Sequence, residues 1–179
     1  MNEIFTKRKS IRKFKNDKIS RDITDDILNA ALLSPSWKNS QIMRYVVISN
    51  REVIDDIAQN GVNGFEFNTK TLLNAPCLIV ACAVGMRCGY ERDGSFSTNK
   101  KDAWEMFDAG IACQSIALEA AHVGVGSVIL GIFDDEYIKE KLKLEDNLKV
   151  QALIACGYPD EAPNRPKRKE LTDVVNYID

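Results

Sequence analysis

The chain has 179 residues, 45% of them hydrophobic and 28% charged, with a formal net charge of −2. That length carries one domain with a real core and too little for two, so residues 1–179 read as a single domain. The composition excludes long disorder. The acidic balance argues against a general nucleic-acid or membrane-surface binder, and no apolar run approaches the ~18 residues that span a bilayer.

The first eight residues carry charge without the long apolar stretch of a secretory signal, so the cytoplasm is the expected address. Residues 2–8 read as a short helix. Ser20 reads as an N-cap, followed at helical spacing by Ile23, Ile27, Leu28 and Ala31, with Pro35 as the stop. Residues 45–48 are a short β-branched run and read as a strand. Residues 52–59 suit a second helix closed by Gly61. Residues 77–84 are apolar throughout, as expected of a strand buried on both faces. Residues 85–101, rich in glycine, serine, asparagine and charge, read as a loop long enough to be a lid, a binding loop or disordered.

A long helix is predicted over 101–123. Its middle, residues 109–118, is apolar nearly all the way round and must be covered on most sides. In a chain this small a second subunit is the natural cover, and Ala109, Gly110, Ala112, Ala117, Ala120 and Ala121 would admit a neighbouring helix closely. Gly124 or Gly126 ends it. Residues 127–133 and 150–157 are two more strands, with a short helix around 136–142 between them. Pro159, Pro163 and Pro166 make the tail extended and unfit for a central strand. This alternation points to an α/β or α+β layered fold.

The five cysteines, Cys77, Cys82, Cys88, Cys113 and Cys156, are odd in number and show no C-x-x-C spacing. Four lie in apolar runs, so they read as reduced structural thiols. His122 is the sole histidine, which argues against a zinc site; at a helix C-terminus it suits a dipole partner.

Three segments carry groups suited to binding. Arg8, Lys9, Ser10, Arg12 and Lys13 offer guanidinium forks and a hydroxyl that fit a phosphate, although alone they read as a solvated basic patch. Residues 163–169 form a second basic cluster, stiffened by proline, that alone reads as a solvated tail. Two such clusters at opposite ends of an acidic chain suggest one shared anion site. Residues 34–41 join a helix to a strand and hold amides and hydroxyls that can read the edge of a planar heterocycle; the plain alternative is a turn rich in turn formers. No G-x-G-x-x-G follows a strand, no Walker loop is present, and nothing places His122 near Ser36 or Ser40 for hydrolysis.

Taken together, residues 8–14, 30–41 and 108–114, with Gly124, Gly126, Gly131, the run 157–159 and Arg168, resemble the nitroreductase family in the family's order along nearly the whole chain. The resemblance implies an α+β fold: a mixed sheet of about four or five strands flanked by helices, with the long central helix at a homodimer interface and two FMN sites there. It implies that Arg8, Ser10 and Arg168 hold the FMN phosphate, with Lys9 contributing backbone and Lys167 assisting. Arg12 would lie by the pyrimidine side of the ring, where a cation stabilises the charge gained on reduction. Asn68 would read the ring edge. Pro35, Ser36, Trp37, Asn39 and Gln41, in the loop contributed by the other subunit, would belong to the same site, and Leu130 and Gly131 would line the ring through their backbone.

The activity so implied is ping-pong hydride transfer from NADH or NADPH to a small oxidised acceptor such as a nitroaromatic or quinone. The cofactor carries the chemistry, and no side chain or metal is required as catalyst. The chain departs from the family pattern at Trp37, where a small residue is common, at Ile42-Met43, at Ser115 and at Glu170. Trp37 would either narrow the pocket or serve as a partly buried interface aromatic. Two alternatives stand beside the reductase: a flavin-binding protein or specialised flavin redox enzyme, dehalogenase-like or flavin-consuming, without general nitroreductase activity; and a nucleic-acid binder, motivated only by the basic clusters.

Overall fold

β2 (Cys77–Val84) is the element around which the others pack in the computed structural model, which describes residues 2–178. Met1 and Asp179, the end points of the expected domain, lie outside the described residues. β2 pairs antiparallel with β1 (Met43–Ile48) on one side and with β4 (Leu148–Gly157) on the other. β3 (Gly126–Leu130) pairs antiparallel with β4 and completes the order β1-β2-β4-β3. The α+β expectation therefore holds with four strands. Its mixed character is confined to one parallel bridge, Ser10↔Ser127, on the outer side of β3.

The unbroken apolar run of β2 follows from helices on both faces. Leu78, Val80 and Cys82 face Ile54 and Ile57 of α3 (Arg51–Asn60), Leu72 of α4 (Glu66–Leu73) and Ile138 of α6 (Asp135–Lys141). Cys77, Ile79 and Ala81 face Ile27 of α2 (Arg21–Leu32) and Cys113, Ile116 and Ala120 of α5 (Ala103–His122). A register shift at Ala81/Cys82 leaves Gln151 unpaired, so Val150 and Ala152 of β4 serve opposite faces. All five cysteines are free and buried.

The helix starts follow their caps. Ser20 accepts from Ile23 N, Asn50 from Val53 N and Asp134 from Tyr137 N, each satisfying a donor that the first turn leaves open. α2 ends before Pro35, and Gly124, at φ +82°, follows the end of α5. The predicted N-terminal helix shrinks to α1 (Ile4–Lys7), and the predicted strand 127–133 stops at Leu130, where Gly131 and Ile132 become exposed.

Residues 85–101 form an anchored loop. Met86 N donates to buried Glu105, Tyr90 bridges Phe96, Cys88 is fully buried, and Trp104 Nε1 donates to Thr98.

Gly126 and Gly157 face each other across the β3–β4 ladder. A Cβ on Gly126 would lie 2.9 Å from Ile11 Cβ, and one on Gly157 would lie 2.7 Å from Pro76 Cδ and 2.8 Å from Phe14 Cβ. The two glycines thus open a slot into which Ile11 and Phe14, both buried, bring the N-terminal segment against the sheet. That slot sets the position of Arg8, Ser10 and Arg12.

Candidate functional site

The N-terminal segment is fastened to the tail residue by residue. Phe14 bridges Pro159, Lys15 N donates to Tyr158 O, and Asp160 N donates to Lys13 O. The Glu161 carboxylate accepts from the backbone of both Arg12 and Lys13. Further along, Arg165 Nη2 donates to the carbonyls of Phe5 (2.9 Å), Thr6 (2.9 Å) and Arg8 (2.6 Å).

The two basic clusters meet as a result. Arg8, Lys9, Ser10, Arg12, Pro163, Arg165 and Arg168 line one cavity of about 130 Å³. Among the described residues no carboxylate lies within ion-pairing distance of these guanidinium groups. Partial burial, and then the charges of Arg165 and Arg168, depress the Arg8 pKa. Several uncompensated guanidinium groups around a small hollow, with the Ser10 hydroxyl among them, form a donor set that fits a phosphate. Lys167 is exposed and stands outside the lining.

The loop after α2 builds a second hollow, of about 100 Å³, lined by Pro35, Ser36, Gln41, Tyr45 and Asp108 among others. It shares no lining residue with the arginine cavity. Trp37 and Asn39 lie in the intervening 3-10 turn, Trp37–Asn39. The turn is tightly wound: Lys38, Asn39 and Gln41 all hold positive φ, at 46°, 54° and 47°. Asp108, only 2% exposed, holds this conformation. Its carboxylate accepts from Trp37 N at 3.1 and 3.0 Å and from the Cys88 thiol at 3.1 Å. Ser36 Oγ accepts from Gln41 N at 3.0 Å. The Trp37 ring lies 4.4 Å from that of Trp104, and Lys38 pairs with Glu91 at 3.0 Å. Trp37 therefore packs partly buried against the 85–101 loop and the start of α5 within its own chain. Trp37 Nε1, Ser40 Oγ and Tyr45 Oη are buried without a partner among the described residues.

The remaining expected residues cluster at the end of β3. Leu130 is its last residue and Gly131 follows, exposed. Asn68 on α4 is buried, and its Nδ2 donates to Ile132 O at 2.9 Å. The Ser10–Ser127 bridge joins the arginine cavity to the start of the same strand. Arg165 and Asp108 were not singled out from sequence. The first stands in a basic run with nothing local to separate it from its neighbours. The second is a carboxylate within an apolar helix, which was a signal available to find it.

The layered sheet and its helices form a fold that known proteins share. Residues 5–158 match the Nitroreductase family profile. A protein of Archaeoglobus fulgidus that carries the provisional name NADH dehydrogenase/NAD(P)H nitroreductase is 32% identical, over 88% of this chain and 84% of its own length. The crystal structure of a nitroreductase family protein from Clostridium novyi NT superposes with a TM-score of 0.76 at 35% identity, covering 92% of this chain and 87% of that one. An FMN-dependent nitroreductase from Clostridium difficile R20291 does so with a TM-score of 0.76 at 31% identity, covering 99% and 98%. The chain belongs to the nitroreductase family and is an NAD(P)H-dependent oxidoreductase.

Proposed function

We propose that this oxidoreductase holds FMN with its phosphate in the arginine cavity and works as a homodimer on a small oxidised acceptor. The observation that carries the reading is the meeting of Arg8 and Arg168, from opposite ends of the chain, in one hollow with Ser10. In this reading Arg8, Ser10 and Arg168 bind the phosphate. Lys9 contributes its backbone, and Lys167 adds charge from the rim. Arg12 lies on the side of the ring that gains negative charge, and its guanidinium favours that charged form. Asn68, Leu130 and Gly131 border the ring from the end of β3.

Pro35, Ser36, Trp37, Asn39 and Gln41 approach from the partner subunit. The separate lining of the hollow that Pro35, Ser36 and Gln41 border supports that arrangement. The solvent-facing side of α5 supports the dimer: Met106 and Phe107 are each 58% exposed, beside exposed Gly110 and Gln114. Bound there, FMN would supply the hydride-transfer chemistry between NADH or NADPH and a quinone or nitroaromatic, with donor and acceptor alternating in one pocket. The protein's part is position and field.

Anaerobic addition of NADH or NADPH should bleach the visible band of the purified protein, and an acceptor should restore it. A bound flavin that neither nucleotide bleaches would remove the reductase reading. Arg8→Ala and Arg168→Ala should each weaken FMN binding by about 1–3 kcal/mol, the scale of a lost charge-assisted hydrogen bond. Unchanged affinity in both, measured by flavin fluorescence quenching, would remove the phosphate assignment. Retained bleaching with negligible steady-state turnover across an acceptor panel would favour the specialised flavin enzyme, a reading to which the Trp37–Trp104 pair beside the loop lends support.

A further inference from the structure

We infer that Arg165 is the positioning residue that ties anion binding in the arginine cavity to the seating of the C-terminal segment on the N-terminal one. This rests on the phosphate reading above.

From Tyr158 to Glu161 the tail is held to residues 12–15 by backbone bonds and one carboxylate. Among the described residues Arg165 makes the last fastening before Arg168, one guanidinium NH2 group sharing its two hydrogens among three carbonyls at the end of α1. The C-terminal carbonyls of a helix lack intrahelical donors, so they accept from a cation readily. Beyond that point, among the described residues, Arg168 bonds only to Pro166 O, two residues away in its own segment. Pro166 directly follows Arg165 and limits how far the chain can turn between the two. The place of Arg168 over Arg8 is therefore set through Arg165.

The same fastening carries a penalty. It brings a third guanidinium beside Arg8 and Arg168, and like charges in one small hollow repel. An anion among them turns that repulsion into attraction. Coupling of this kind is reciprocal: whatever affinity the anion gains from a seated tail, the tail gains in seating from the anion. Arg165 thus contributes twice, through the carbonyls that hold the segment and through the charge that makes seating depend on an anion.

The test uses the full chain stripped of flavin and reloaded, with amide hydrogen exchange followed over residues 161–170. In the wild type, FMN and inorganic phosphate should slow exchange there, and riboflavin, which lacks the phosphate, should not. Arg165→Ala should lower FMN affinity about tenfold, the scale of one lost charge-assisted contact. It should leave riboflavin affinity unchanged and abolish the anion-dependent protection. Arg165→Lys, which keeps the charge and three donors on a shorter reach, should fall between. Wild-type affinity and protection in Arg165→Ala, with FMN binding lost in Arg168→Ala, would overturn the role of Arg165 and leave the phosphate reading standing. An equal loss of riboflavin binding in Arg165→Ala would overturn it as general damage. Exchange indifferent to FMN and phosphate in the wild type, with Arg168→Ala neutral, would overturn both readings.

Discussion

Asp108 is the residue on which the loop after α2 most depends. A carboxylate at 2% exposure is costly unless its oxygens are satisfied, and here a backbone N–H and a thiol satisfy them. Both are donors, so Asp108→Asn keeps the shape but turns an NH2 group toward one of them. The expected loss is about 1–3 kcal/mol of stability in urea unfolding, with altered tryptophan fluorescence from the Trp37–Trp104 pair. Unfolding and fluorescence indistinguishable from wild type would show that the carboxylate is dispensable. Its other partner, the Cys88 thiol, has its pKa pushed up to about 12 by burial and then by Asp108. A thiol so raised stays protonated and unreactive in mildly alkaline buffer.

At the scale of elements, the paired glycines of β3 and β4 decide where the N-terminal segment lies. Gly157→Ala puts a methyl 2.7 Å from Pro76 and 2.8 Å from Phe14, both packed side chains with little room to give. Overpacking of this kind typically costs about 1–3 kcal/mol, and the shift should spread along residues 10–14 to the arginine cavity. The expected outcome is a lower thermal midpoint together with weaker FMN binding. Lower stability at unchanged FMN affinity would mean that the slot positions the core alone. Elements with local signals were legible without coordinates: Ser20 before its helix, the apolar run of β2, the length of α5. α4 was not. Its N-cap residue, Phe65, makes no side-chain cap bond, and its apolar residues are not gathered on one face, so no start signal or period marks it. The 85–101 loop was open between lid, binding loop and disorder because its anchors lie elsewhere in the chain, Lys38 before it and Trp104, Glu105 and Asp108 after it.

For the whole molecule, the question is how the exposed side of α5 is covered. Phe107, Met106, Gly110 and Gln114 form a mostly apolar strip along it, and the tail adds exposed Leu171, Val174, Tyr177 and Ile178. Surfaces of this sort on a small protein mark association sites. Phe107→Glu should convert a wild-type dimer to monomer in sedimentation velocity and lose FMN with it, because part of each proposed site comes from the partner. A monomeric wild type that binds FMN would remove the two-chain site.

The residues proposed to meet the cofactor divide the same way. Period, capping and composition are properties of neighbouring residues, set by backbone hydrogen-bond geometry and side-chain size, and the sequence alone determined the strands, most helices and the two basic clusters from them. The convergence of those clusters, the fastening by Arg165 and the hold of Asp108 on the Trp37 turn join residues far apart in the chain. The first two exist because antiparallel pairing of β3 with β4, and the slot between their glycines, bring both ends of the polypeptide to one corner of the sheet, and the third because α5 packs against the loop before β1; no local pattern encodes either.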